Sequence, residues 1–204
     1  MNDLLKNSIK WSISIAVITF VLAAIFSIAS NGILNGVSWS IGLVVVLGIV
    51  LIGIFFDMLG IASTSAGEVA YHAMAAKRVY GAKHAIRIVR NADKFASFCN
   101  DVIGDISGII SGTATALVII QFSQSFHMEN ASFFEYGLNV MLTSLIAAIT
   151  VGGKAFGKTL AIRYSKDIIL YVGKTLQFFE DKLHIVIIKD NKRKHSKQNT
   201  KKRK

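Results

Sequence analysis

From Trp11 to Phe56 the chain carries no Asp, Glu, Lys or Arg, an uncharged run of 46 residues. A soluble domain, in which about a quarter of the residues are charged, has no place for such a run. One helix crosses the hydrocarbon core of a bilayer with about 20 apolar residues, so this run holds two of them. It divides at Asn31-Gly32 and Asn35-Gly36, which are turn dipeptides. The division predicts a first span near Trp11–Ser30 and a second near Ile41–Ala62. Two later runs predict a third span over Asn100–Phe122 and a fourth over Tyr136–Gly152. Four apolar runs in 204 residues would leave a soluble protein too little polar surface. The expected fold is therefore all-α, an integral membrane bundle of about four spans.

The charges lie in blocks between these runs. The chain is 52% hydrophobic and 17% charged, yet its net charge is +11. That hydrophobicity excludes a disordered chain. The single cysteine, Cys99, excludes a disulfide scaffold and a cysteine-based metal cluster. Residues 66–98 carry six basic and two acidic side chains, and residues 189–204 carry nine basic side chains and Asp190. The 31–40 turn is uncharged, and the 123–135 loop carries only Glu129 and Glu135. Cytoplasmic loops beside spans carry an excess of Lys and Arg. The N-terminus, the 66–98 segment and the C-terminal region are thus expected inside a cell membrane, with the two poorly charged loops outside. Four spans satisfy every loop at once. The apolar core of the first span exceeds the 7–15 residues of a signal peptide, which predicts an uncleaved anchor.

Helix-forming residues fill 66–98, interrupted at Tyr80-Gly81, and predict a cytoplasmic juxtamembrane helical hairpin. Residues 154–188 read as an amphipathic interfacial helix. Phe156, Leu160, Tyr164, Ile168, Tyr171, Val172, Leu176, Phe179 and Leu183 recur at steps of three and four, with basic residues on the edges. A disordered basic tail, 189–204, is expected to attract anionic lipid. No aromatic or fold motif accompanies it, so no nucleic acid partner is expected. The five histidines are scattered and no nucleophile or phosphate-loop motif occurs, so no enzyme activity is expected.

Three acids fall in apolar surroundings: Asp57, Asp101 and Asp105. Ionisable groups inside a bilayer cost roughly 2.5–3.5 kcal/mol each and usually face a bundle interior or a pathway. In a regular helix Asp101 and Asp105 stack on one face. Gly104, Gly108 and Gly112 form a small-residue stripe on the adjacent face, suited to close helix approach. The stretch Phe55-Phe56-Asp57 to Glu68 is rich in glycine and hydroxyls, which predicts a broken helix with exposed carbonyls. Hard cations such as Mg²⁺ take carboxylate, carbonyl, hydroxyl and water oxygens. Asp57, Ser63, Ser65, Asn100, Asp101 and Asp105 could supply that shell. Equally, the acids could pair with Lys94, Lys154 or Arg90 as structural anchors.

The order of these elements resembles the transmembrane domain of the CorB/CorC and cyclin-M (CNNM) family of magnesium transporters. The resemblance covers roughly residues 41–180. A span ends in Phe55-Phe56 and a small-residue stretch, Ser63-Thr64-Ser65-Ala66-Gly67-Glu68. A basic hairpin ending Arg87-Ile88-Val89-Arg90-Asn91-Ala92-Asp93-Lys94-Phe95 follows, then a polar-started span from Asn100 to Gly112 and another span. Last comes Gly153-Lys154-Ala155-Phe156-Gly157-Lys158-Thr159-Leu160-Ala161-Ile162-Arg163-Tyr164, where the family typically reads Gly-Glu-x-x-Pro-Lys-x-Leu-Ala-x-Arg-Tyr. The resemblance implies a homodimer and a Mg²⁺ site of Ser, Asn and Glu oxygens. Ser63 and Ser65 fall in its serine-bearing stretch, and Asn100, or Asp105 in a shifted register, matches its asparagine. Two departures stand out: the motif's glutamate is Lys154 and its proline is Gly157. A lysine ammonium there would repel Mg²⁺ or take its place; either Asp101 and Asp105 compensate for it, or Lys154 pairs with them and seals the site. The CBS pair of the family is not expected, nor nucleotide regulation through it. On this reading residues 1–40 are an extra span and outer turn, and 41–153 are the CorB-like core.

Overall fold

The computed structural model of the chain describes residues 2–34, 36–125 and 132–183. The basic tail, the last residues of the predicted interfacial helix and residues 126–131 of the acidic loop lie outside them. The described residues are all-helical. They form α1 (Asn2–Leu34), α2 (Trp39–Ser65), α3 (Glu68–Ala76), α4 (Ala82–Arg90), α5 (Ala92–Ser97), a π-helical turn (Phe98–Gly104), α6 (Asp105–Ser125), α7 (Ser132–Arg163) and α8 (Ser165–Leu183). Four segments are long and apolar enough to cross a membrane: Ser8–Leu34, Trp39–Ser65, Ala92–Ser125 and Tyr136–Arg163.

The long helices alternate in direction. The Gln121 amide donates to the Leu34 carbonyl at 2.8 Å, and Trp39 meets the edge of Phe122 at 5.0 Å. The end of α1, the start of α2 and the end of α6 therefore share one end of the bundle. Lys94 lies over the Trp11 ring, 4.9 Å from its centroid, which joins the start of α1 to α5 at the other end. Tyr136 and Asn139 of α7 line a cavity with Ser123 and Gln124 of α6, and farther along Gly157 abuts Met58 of α2. So α7 runs in the same direction as α2, and the start of α1 and the end of α7 share the end that carries the hairpin.

Glycines set the helix contacts. A Cβ on Gly53 would lie 2.9 Å from Cβ of Ser107, and one on Gly42 would lie 2.8 Å from Val118. Backbones this close gain dispersion contact along α2 and α6, the small-residue mode of packing in lipid. Above Gly108 and Gly112 there is open space. Of the predicted stripe only Gly104 is buried; its other two glycines face outward, because Val102, Ile106 and Ile110 take the core face.

Two expectations about helix ends are corrected. The stretch after Asp57 does not break. Ser63 and Thr64 donate their hydroxyls to the carbonyls of Gly60 (2.7 Å) and Ile61 (2.9 Å), and the helix runs to Ser65. The fourth span does not end at Gly152 but continues through Gly153 and Gly157 to Arg163, since both glycines lie against α2 side chains, Ile54 and Met58. The amphipathic helix therefore starts at Ser165, not at residue 154. The hairpin breaks where expected: Gly81 adopts φ 86°, which glycine reaches without steric cost.

Candidate functional site

Asp57 on α2, Asn100 and Gly104 on the π-helical turn, and Lys154 on α7 converge at the hairpin end of the bundle. Lys154 Nζ lies 3.8 Å from Asp57 Oδ1. The pair sits over Gly104, where an added Cβ would lie 3.6 Å from Asp57 Oδ1 and 3.7 Å from Lys154 Nζ. Asp57 is mostly buried, its side chain 16% exposed against 30% for Lys154. A carboxylate in that position needs a counter-charge, because its desolvation otherwise costs several kcal/mol. Lys154 supplies it. Of the pairings the sequence left open for Lys154, with Asp57, Asp101 or Asp105, the structure forms the one with Asp57.

Asn100 lies one turn of α2 farther on. Its side chain rests against Gly60, and its Oδ1 is buried with no hydrogen-bond partner. Leaving such an oxygen unpaired costs about 1–3 kcal/mol. The π-helical turn carries Asn100 and Asp101, and single π turns recur at functional sites. Its wider spacing also defeats the four-residue stacking expected of a regular helix.

The predicted oxygen donors do not form one shell. Ser63 is buried beside Gly60, but its hydroxyl is engaged with the Gly60 carbonyl. Ser65, Asp101 and Asp105 are exposed. No group of three His, Cys, Asp or Glu side chains is placed to hold a metal ion among the described residues. A Mg²⁺ ion bound through carboxylates requires near-octahedral oxygens at about 2.0–2.1 Å. Asp57 is paired with Lys154 and Asn100 is neutral, so such a shell here would be completed largely by water.

A second polar cluster clasps the hairpin to α8, and nothing in the local sequence announced it. Glu180 Oε2 lies 2.6 Å from His84 Nε2 and accepts from Arg87 Nη1 at 3.3 Å. The Gly81 amide donates to Gln177 Oε1 at 2.6 Å, and Tyr80 donates to Asp181 at 3.0 Å. Each pair spans about a hundred residues, so periodicity carried no signal of it. Within the hairpin, Glu68 Oε1 accepts from Arg90 Nε at 2.6 Å and meets His72 Nε2 at 2.7 Å. The hydrogen bond from His72, then Arg90, holds the Glu68 carboxyl below its ordinary range. The His84 hydrogen bond, then the charges of His84 and Arg87, lower Glu180 in the same way. Tyr71, buried under α8 and donating to the Lys166 carbonyl at 3.0 Å, has its hydroxyl pushed up to about 12 by desolvation and by Asp167.

No family model matches the chain, and comparison with curated proteins and with solved structures likewise gives no match.

Proposed function

We propose that this chain is a four-span cell-membrane protein of CorB-like build whose central polar site is closed by its own lysine, and that it works as a non-transporting scaffold or regulatory relative of divalent cation transporters. One observation carries the reading: Lys154 Nζ sits 3.8 Å from Asp57, at the position where the resembled motif has a glutamate. An ammonium in contact with the one mostly buried carboxylate of the site supplies the positive charge that a Mg²⁺ ion would otherwise bring. The basic hairpin and α8 then face the cytoplasm together with both termini. Two copies pair as in the resembled family.

A second reading, divalent cation (Mg²⁺) transport, is favoured by Asn100. Its unpaired buried Oδ1 is an oxygen in search of a donor or a cation, at the position the resemblance gives to a metal-ligating asparagine.

Thermal unfolding of the detergent-solubilised protein separates the two. On the closed-site reading, millimolar Mg²⁺ leaves the parent unchanged, and Lys154→Glu gains a Mg²⁺-dependent stabilisation. Stabilisation of the parent itself, abolished by Asp57→Asn or Asn100→Leu, would instead establish a cation site.

A further inference from the structure

Helix α8 has two apolar faces, of which the fold uses one. Ile169 and Gly173 are buried, and Gly173 lies against the Gly81 carbonyl and Ala85 of the hairpin. On the other side Tyr164, Tyr171 and Phe178 are 48%, 68% and 49% exposed. Tyr171 and Phe178 lie seven residues apart on α8, a spacing that drifts only about 20° on an α-helix, and Tyr164, immediately before α8, continues the stripe at the same interval. Each ring carries a cation from the same chain: Arg163 at 5.7 Å over Tyr164, Lys174 at 5.1 Å over Tyr171, and Lys182 at 4.9 Å over Phe178.

We infer that this stripe is a docking surface for anionic lipid headgroups at the face of the membrane that the chain spans. The inference rests on the membrane-spanning reading above and adds the surface and the class of lipid. Three features point to that occupant. A single residue, Tyr164, separates α8 from the end of α7, so the stripe begins where the spanning helix leaves the apolar layer. Aromatic rings with long basic side chains folded over them suit the headgroup level, where the ring takes the apolar side and the cation the wet side. The cations are complementary to phosphate and carboxylate headgroups, whose attraction acts within a Debye length of the surface. A second copy of the chain or an acidic protein would cover the same rings without contacting lipid, and the test separates these cases.

The full chain is reconstituted into vesicles of phosphatidylcholine and phosphatidylserine, with bromine placed on the acyl chains of one lipid or the other. Tyr171→Trp is read in a Trp11→Phe/Trp39→Phe background, and Phe178→Trp provides an independent position. The single tryptophans Trp11 and Trp39 serve as spanning controls. The expected result is lipid quenching at positions 171 and 178, roughly two-fold stronger from brominated phosphatidylserine, with the excess removed by Lys174→Gln/Lys182→Gln. Equal quenching by the two lipids overturns the anionic selection. Quenching by aqueous acrylamide alone, or shielding from both quenchers, overturns the docking surface while Trp11 and Trp39 still report lipid. Loss of lipid quenching at Trp11 and Trp39 as well would overturn the spanning reading itself.

Discussion

Helices α1 and α6 are both long and apolar, yet they stand in opposite relation to the rest of the chain. None of the apolar window of the first span is buried, whereas half of the third is, although the first is the more hydropathic of the two. The difference lies in what each helix meets. Helix α6 brings Ser107, Ser111, Ala114 and Thr115 to the contact, all buried, and faces Gly42 and Gly53 of α2. Along α1 Val17, Phe20, Ile25 and Ile28 are exposed, and the helix meets the third span through Ile15, Leu22 and Ala23 and is buried at its end, at Ser30 and Leu34. In lipid an apolar surface gains nothing by meeting another apolar surface, so close packing requires residues that let backbones approach.

The sharpest way to break that comparison uses two glycines of one helix. Gly53→Val must push α6 away, because its Cβ would lie 2.9 Å from Ser107, and an overpacked contact of this kind costs about 1–3 kcal/mol. Gly48→Val meets nothing within 4 Å and should leave the melting temperature in detergent nearly unchanged. Similar losses at the two positions would refute the packing argument. Next in size is the polar site. Lys154→Met leaves Asp57 mostly buried and unpaired and should cost about 2 kcal/mol, less than a fully buried pair because both groups are partly wet. Adding Asp57→Asn should recover most of the loss; a double variant as unstable as the single one would show that the pair is not coupled.

Smaller effects are expected where α1 meets α6 and where α8 meets the hairpin. Gln121→Leu removes the hydrogen bond to the Leu34 carbonyl and should cost about 1 kcal/mol, seen as faster proteolysis near the end of α1. The Glu180 contact is set by pH. Its folded carboxyl titrates below the ordinary value, so its contribution is present above about pH 4.3 and disappears as pH falls through the lowered folded value. Hydrogen-exchange protection in α8, taken relative to the intrinsic exchange rate at each pH, should therefore fall on acidification in the parent, and Glu180→Gln should flatten that dependence. An unchanged acid profile in the variant would assign the effect to another carboxylate.

The sequence made the spans legible because a bilayer tolerates so few charges. The second span, expected over Ile41–Ala62, occupies Trp39–Ser65. Its real end was missed because Ser63 and Thr64 were read as helix breakers, whereas their hydroxyls bond back to the preceding turn. The hairpin turn was legible through Gly81, whose backbone conformation favours glycine. Gly152-Gly153 misled in the opposite sense: glycine marks turns in water, but here Gly153 admits Ile54 of α2. Asp57 and Asn100 could be picked out as polar groups in apolar runs, and Lys154 as the departure from the resembled motif. Which of them pair could not be read, since α3 to α6 separate Lys154 from Asp57 in the chain and the π-helical turn alters the register on which the Asp101–Asp105 face depended.

The central claim is that the Lys154 ammonium occupies the place of a cation. Mg²⁺ flux into proteoliposomes loaded with a Mg²⁺-sensitive dye, measured for the parent and for Lys154→Glu, tests it most directly. The parent is expected to be indistinguishable from empty vesicles while the two proteins reconstitute equally. Saturable Mg²⁺ flux through the parent, lost on Asn100→Leu, would contradict it.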